Sequence, residues 1–243
     1  MKDWIYGFFM AWGMFLAIPC PLKLWNEKAR SKMICCLPLV GLVVGGVWLL
    51  AAYVGRFLPQ SAAGLLIAAA PWLATGFLHL DGFMDVCDAV LSRRDLATRQ
   101  RILKDSHCGA FAVICMVLLA MGQWSLFLAA EDVSWLALLL IPAATRACAG
   151  LAVLGLRPMG TSQYAAMGPA RGGYGAALWA LLALSVGLPL WLGGSFGPLA
   201  AAVGYGLAVW YGFRNLDGMS GDISGFALTI GELCGCGAAI LWR

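Results

Sequence analysis

Long apolar runs separated by two alternating kinds of loop constrain this chain more than any other feature. The runs cover approximately residues 4–19, 33–56, 61–80, 109–130, 133–156, 175–192, 197–213 and 226–242. Several reach or approach the roughly 20 apolar residues that a helix needs to cross a bilayer. With 62% hydrophobic and 12% charged residues, a soluble domain is excluded. The runs are continuous and show no period-2 alternation, which argues against a β-barrel. The expected fold class is all-α: one polytopic integral membrane helical bundle over residues 1–243, with no linker long enough to divide it.

Charge orients the bundle. Four loops are basic: 20–32 (Lys23, Lys28, Arg30, Lys32), 81–108 (Arg93, Arg94, Arg99, Arg101, Lys104), 157–174 (Arg157, Arg171) and 214–225 (Arg214). Loops 57–60, 131–132 and 193–196 carry no Lys or Arg. The two kinds alternate strictly, so the positive-inside rule places the basic loops in the cytoplasm. About seven spans are expected from residue 33 onward. The run at 4–19 is short, and Trp4, Phe8, Trp12 and Phe15 recur at helical spacing. That pattern suits an interfacial helix or a short tilted span. Pro19-Cys20-Pro21 offers no small-x-small cleavage site, so the segment reads as mature sequence. The nine cysteines form no Cys-x-x-Cys pair. They read as small apolar packing residues without disulfides.

Chemistry concentrates in one stretch. The chain has 12 acidic residues, and Asp81, Asp85 and Asp88 fall within eight positions, flanked by its two histidines, His79 and His107. Spacings of zero, four and seven put the three carboxylates on one helix face. Adjacent anions repel unless a cation neutralises them, and hard oxygen ligands suit Mg²⁺ or Mn²⁺. A polar helix end is the bland alternative. Gly82 either lets a ligand approach the backbone or breaks the helix. Asp105-Ser106 is either a cap for the helix near Gly109, or Asp105 is a further metal ligand with Ser106 or His107 on substrate. His79 is structural, or it orients a carboxylate, binds phosphate or accepts a proton.

Two further groups join this set. Arg146 lies near the middle of segment 133–156, where a charge is costly and functional by default. It either pairs with Glu232 or clamps substrate phosphates, and the clamp is the favoured expectation. Residues 214–225 hold Asp217, Gly218, Ser220, Gly221, Asp222, Ser224 and Gly225. They suit a tight loop whose N–H groups cradle an anion, although no Walker loop is present and a plain turn is the alternative. Gly172-Gly173 has no companion motif. Together these residues fit metal-assisted transfer of a phosphorus-containing group.

Phe77-Leu-His-Leu-Asp-Gly-x-x-Asp-x-x-Asp, followed by Lys104-Asp-Ser-x-x-Gly109, resembles the cobalamin synthase (adenosylcobinamide-GDP ribazoletransferase) family. The likeness extends through Ile18-Pro19-x-Pro21, Leu37-Pro-Leu-Val-Gly41, Thr145-Arg146, Gly221-Asp222 and Glu232. It implies an Mg²⁺-dependent transferase of substituted phosphate groups in a bacterial inner membrane, with its active site facing the cytoplasm. Adenosylcobinamide-GDP would give its cobinamide-phosphate to α-ribazole or its 5′-phosphate, and GMP would leave. The expected metal set is Asp81, Asp85, Asp88, Asp105 and Asp222. Catalysis would involve His79, Asp105, Ser106 and Arg146, with Gly82, Ser220, Gly221 and Glu232 binding substrate or cofactor. The lipid bilayer is a partner, nucleic acid is not, and a homo-oligomer is left open. Departures from the family pattern stand at Ala89 and Ala112, where glycine is usual, at Asp217, also a usual glycine, and at Thr229, where a further acid is usual. Asp217 could compensate for that acid. Two rivals are weighed. A lipid-directed CDP-alcohol phosphotransferase lacks its Ala-Arg pair here. A divalent-cation transporter would spread its acids along a path.

Overall fold

The computed structural model describes residues 2–160 and 174–242. Among them are eleven α-helices and no strand: α1 (Lys2–Phe15), α2 (Arg30–Cys35), α3 (Leu37–Gly55), α4 (Gln60–Ala74), α5 (Leu78–Leu91), α6 (Leu96–Ile102), α7 (Ala110–Ala129), α8 (Trp135–Gly155), α9 (Tyr174–Gly193), α10 (Gly197–Leu216) and α11 (Gly221–Leu241). Arg171 and Gly172-Gly173 lie outside the described residues. Helices α3, α7, α8, α9 and α11 are each long and apolar enough to cross a membrane. Helices α4 and α5 pass that test only as a pair bent by 91°.

The expectation of about seven spans is therefore not reached; the described residues hold five, or six with the bent pair. Two segments account for the difference. Helix α10 has 20 residues but is not among the helices apolar enough to qualify, with Arg214 in its last turn. Segment 61–80 is broken at Thr75-Gly76-Phe77. Gly76 and Phe77 both adopt left-handed backbone, φ 59° and 63°. The Phe77 N–H bonds the Trp72 carbonyl at 2.9 Å and the Gly76 N–H bonds that of Leu73 at 3.2 Å. This paired pattern is the Schellman stop, with Gly76 in the position that favours glycine. Helix α1 spans only 14 residues and is not among the membrane-crossing helices. It packs on α2 and α3 through Met10 and Ala11, and Lys32 Nζ holds Asp3 at 2.6 Å.

Small residues let the central helices approach backbone to backbone, the usual means of packing where lipid removes the hydrophobic drive. A Cβ on Gly45 of α3 would fall 2.2 Å from the Leu139 carbonyl oxygen of α8, and one on Gly41 would fall 2.5 Å from that of Pro142. Helices α8 and α11 are the most enclosed, 67% and 72% buried over their apolar windows. Those figures explain why the polar residues they carry must be satisfied internally.

The two loop types gather at opposite ends. At one, Gln60 Nε2 donates to the Leu128 carbonyl at 2.7 Å. At the basic end, the Met159 N–H donates to the Met219 carbonyl, the Met219 N–H donates to that of Arg157, both at 2.9 Å, and the Arg157 side chain donates to Asp217. Arg99 also donates to Asn215 Oδ1 at 3.1 Å, and Gln100 to the Leu216 carbonyl at 2.8 Å. The basic loops are shorter than the sequence suggests. Helix α5 continues through Leu91, and only residues 217–220 separate α10 from α11. Helix α5 crosses this end of the bundle from the start of α11 to the start of α7.

Candidate active site

The break after α4 redirects the acidic stretch. Instead of ending a span at water, Asp81, Asp85 and Asp88 ride on α5 across the basic end. The place where α5 meets α11 is set by two glycines. A Cβ on Gly82 would lie 2.8 Å from the Asp222 carbonyl oxygen, and one on Gly225 would lie 3.1 Å from that of His79. Gly82 thus does not break the helix; it permits the close approach of α11. The same crossing corrects the reading of 214–225 as one tight anion-cradling loop, because α10 runs through Leu216 and α11 starts at Gly221. Asp222, Ser224 and Gly225 are helical, and Ser220 is the N-cap, its Oγ accepting from the Ile223 N–H at 3.3 Å. Ser220 Oγ also donates to Asp222 Oδ2 at 3.3 Å.

Two neighbouring cavities open at this end. The smaller, about 310 Å³, is polar and is lined by Asp81, Asp85, Asp88, Asp105, Ser106 and His107. The larger, about 380 Å³, is bordered by His79, Gly82, Arg146, Ser220, Gly221 and Asp222 on its polar side. Asp81, Leu103 and Lys104 line both. Asp81 therefore stands where the two spaces meet, with a lysine beside the junction.

The three aspartates of α5 do not share one role. Asp88 Oδ2 accepts the Gly109 N–H at 2.6 Å and Oδ1 accepts that of Ala112 at 2.9 Å. It caps α7 from a different helix, where free N–H groups and the helix dipole favour a carboxylate. A Cβ on Gly109 would sit 2.6 Å from that carboxylate, so glycine is what lets Asp88 seat. Asp81 and Asp85 have no comparable backbone partners among the described residues. Asp105 does not cap α7. Its Oδ1 stands 2.6 Å from His107 Nδ1 and accepts the His107 N–H at 3.0 Å. Those hydrogen bonds, the ring contact first, hold its carboxyl below the usual carboxylate range. Ser106 is exposed beside it.

Arg146 realises the pairing that the sequence analysis ranked second. It is buried, and Nη1 donates to Glu232 Oε1 at 2.7 Å and to the Pro142 carbonyl at 3.2 Å. Glu232 accordingly faces Arg146 between α8 and α11 and lines neither cavity, contrary to the expectation that it binds substrate. Arg146 Nη2 is different. It is buried without a hydrogen-bond partner among the described residues, on a side chain that borders the larger cavity. A clamp is thus reduced to one donor. His79 is buried on the same cavity. Arg30, read from the sequence only as an orienting charge, also lines it, with Nε buried and unpartnered among the described residues. No signal in the sequence singles Arg30 out, because α2 reaches the site only through packing.

Among the described residues, no three His, Cys, Asp or Glu side chains are arranged to enclose a metal ion by themselves. The carboxylates around the smaller cavity, Asp81, Asp85, Asp88 and Asp105, are hard oxygen donors of the kind that suit a hard divalent ion. Mg²⁺ keeps several waters and takes one or two carboxylates plus substrate phosphate.

A family model described as cobalamin-5-phosphate synthase matches residues 7–240. The chain belongs to this family. It is 35% identical to an adenosylcobinamide-GDP ribazoletransferase of Clostridium botulinum, each chain covered in full. It is 33% identical to one of Clostridium perfringens, with 97% of each covered, and 36% identical to one of Thiobacillus denitrificans, with 93% of this chain and 91% of that one covered. No solved structure matches. Against the family pattern, Ala89 and Ala112 are buried in packing around Asp88. Asp217 caps α10 in left-handed backbone, φ 60°, and is held by Arg157. It lines neither cavity, so it does not replace the acid usual at position 229. Thr229 is buried, its Oγ1 donating to the carbonyls of Gly225 at 3.0 Å and His79 at 3.4 Å.

The aspartates' separate roles give separable phenotypes. Asp88→Asn places an amide N–H₂ against one helix N–H and should cost about 1–3 kcal/mol of stability, read as a lower unfolding temperature in detergent. Asp85→Asn should leave the unfolding temperature unchanged or raise it, through relief of like-charge repulsion, while turnover falls by orders of magnitude. Equal thermal losses in both variants would contradict this division.

The buried pair supports a double-mutant cycle. Arg146→Ala strands Glu232 and should destabilise by about 3–5 kcal/mol. Adding Glu232→Ala should recover much of that stability. Turnover should stay low in the double variant, because Nη2 is gone. Recovery of both quantities would leave Arg146 with a structural role alone.

Proposed function

We propose that this chain joins the cobinamide-phosphate of adenosylcobinamide-GDP to α-ribazole or its 5′-phosphate, with release of GMP. The observation that carries this reading is the junction at Asp81 and Lys104, where an acid-lined cavity meets a larger amphipathic one. Two substrates must meet head-on in such a transfer, and two spaces sharing one carboxylate and one ammonium provide for that. A ribose hydroxyl of the acceptor attacks the phosphorus next to cobinamide. The bond from that phosphorus to the bridging oxygen breaks, and the oxygen leaves with GMP. The hydroxyl proton passes to a carboxylate at the junction or to His79 on the larger cavity. Lys104 and Arg146 Nη2 offset the charge that develops on the diphosphate.

An Mg²⁺ ion held by Asp81 and Asp85, with Asp88 or Asp105 at the edge, would supply further neutralisation of the diphosphate. Asp105 and Ser106 rim the space the diphosphate would occupy, and Gly221 opens the free N–H end of α11 toward the acceptor side. The lipid-directed and transporter readings lose ground. The acids gather at one end of the bundle, and the buried carboxylate Glu232 is engaged by Arg146.

Purified protein given adenosylcobinamide-GDP, α-ribazole and Mg²⁺ should form the joined product and GMP in equal amounts, and chelation of the metal should stop both. GMP without joined product, or product independent of a divalent ion, would sink this account.

The same reading places the basic end in the cytoplasm of a bacterial inner membrane. Cys108 is exposed there, beside the acidic cavity, and serves as a natural probe. With the other cysteines replaced, an impermeant maleimide should label Cys108 after permeabilisation and not in intact spheroplasts. Labelling from outside would reverse the orientation.

A further inference from the structure

The larger cavity has two unlike sides. Its polar side, on α5 and the start of α11 with Arg146 of α8 and Arg30 at the start of α2, is the part described above. Its other side is formed by Phe15 at the end of α1, Met33 and Ile34 of α2, Leu37 of α3 and Val153 of α8. Nothing in the transfer chemistry requires that apolar wall. We infer that it seats the heterocyclic base of the acceptor nucleoside, so that α1 and α2 carry the enzyme's choice of base. This rests on the transferase reading and deepens it.

Size supports the assignment. At about 380 Å³ the cavity lies near the lower end of the range for small-molecule sites. It suits a nucleoside and is far too small for a corrinoid, which must stay outside and extend only its diphosphate arm toward the junction. Polarity separates the two nucleosides of the reaction. Guanine carries donors and acceptors on its edges, and burying them unpaired against Met33, Ile34 and Leu37 would be costly. The base of α-ribazole is a dimethylated benzimidazole, apolar over both faces and its outer edge, and loses little by that contact. Direction agrees as well. A base against α1 and α2 leaves its ribose toward Asp81 and Lys104, the residues shared with the acid-lined space. Holding the base therefore delivers the attacking hydroxyl to the phosphorus, an orientation effect of the kind that lowers barriers without direct chemical participation.

Phe15→Ala removes an aromatic wall at a helix end, and Val153→Thr puts a hydroxyl on a partly buried isostere, so both proteins should fold with unfolding temperatures near that of the parent. Equilibrium binding of α-ribazole to full-length protein in detergent, with no donor present, is the direct measurement. Each substitution should weaken binding about tenfold. Each should also shrink the parent's preference for α-ribazole over the riboside of unsubstituted benzimidazole. In turnover the acceptor KM should rise while the donor KM stays within twofold. Affinity for α-ribazole within twofold of the parent in both variants overturns the inference, as does a change confined to the donor KM, or a parent protein that binds no α-ribazole. Binding by the parent that depends on Phe15 and Val153, without any GMP release, would leave the base site standing and remove the transferase reading.

Discussion

The site depends on one helix crossing, that of α5 over the start of α11. A Cβ on Gly82 would clash with the Asp222 backbone at 2.8 Å, and one on Gly225 would press on that of His79 at 3.1 Å. At that crossing the Asp81 carboxylate lines the same cavity as Asp222 and as Ser220, the cap of α11. Repulsion among clustered carboxylates opposes the arrangement. Backbone packing over several turns of α5, including Phe83 stacked on Phe226 with ring centroids 5.7 Å apart, holds it in place. The acids are thus kept close by apolar contacts made on the far face of the same helix. Charge complementarity among the acids does not hold them. The fold thus gathers carboxylates, with Lys104 beside them, where the two cavities meet.

The break at Gly76–Phe77 makes that crossing reachable. Had α4 run straight on, the aspartates would have projected from the end of a span, one turn below another. The Schellman stop turns the chain by 91°, and α5 then runs from α11 to α7. Asp88 closes the far end by capping α7. One carboxylate of the three is consequently spent on fixing the helix that carries the other two. Sharing a helix face is thus a poor guide to sharing a function. Identical side chains one turn apart here either cap a helix or line a cavity, according to which backbone N–H groups face them.

Much of the architecture is legible in the sequence because lipid demands a strong signal. Apolar runs mark α3, α7, α8, α9 and α11 to within a few residues, and basic residues mark the end on which the loops gather. Residues 79–88, 104–107, 146 and 220–222 do surround one region. What the sequence hides follows from tertiary contacts. Hydropathy is continuous through Thr75-Gly76-Phe77, so a stop made of backbone geometry leaves no compositional trace. Glycines at 82, 218, 221 and 225 look like a loop, yet Gly82 and Gly225 are helix-packing residues whose partners are far apart in sequence. Arg146 and Glu232 are separated by 86 positions, and which of two buried roles the arginine takes is decided by its neighbour across the α8/α11 interface. The apolar wall from α1 and α2 is invisible for the same reason.

The departure at Thr229 acquires meaning from that interface. A residue three positions before Glu232 lies one turn away on the same face of α11, toward the basic end. The family resemblance leads one to expect an acid there, which would offer Arg146 a second carboxylate. Thr229 instead turns its hydroxyl onto the carbonyls of Gly225 and His79. It ties the first turn of α5 to α11 and contributes no charge. Arg146 is left with one carboxylate for a fork of several donors, and Nη2 is the donor without a partner. In a low-dielectric interior an unpaired donor on a charged group is expensive. The side chain that carries this donor borders the larger cavity. The loss of one acid therefore need not weaken the site. It moves the balance at this end of the bundle from a saturated internal ion pair to an arginine with capacity left for an anion.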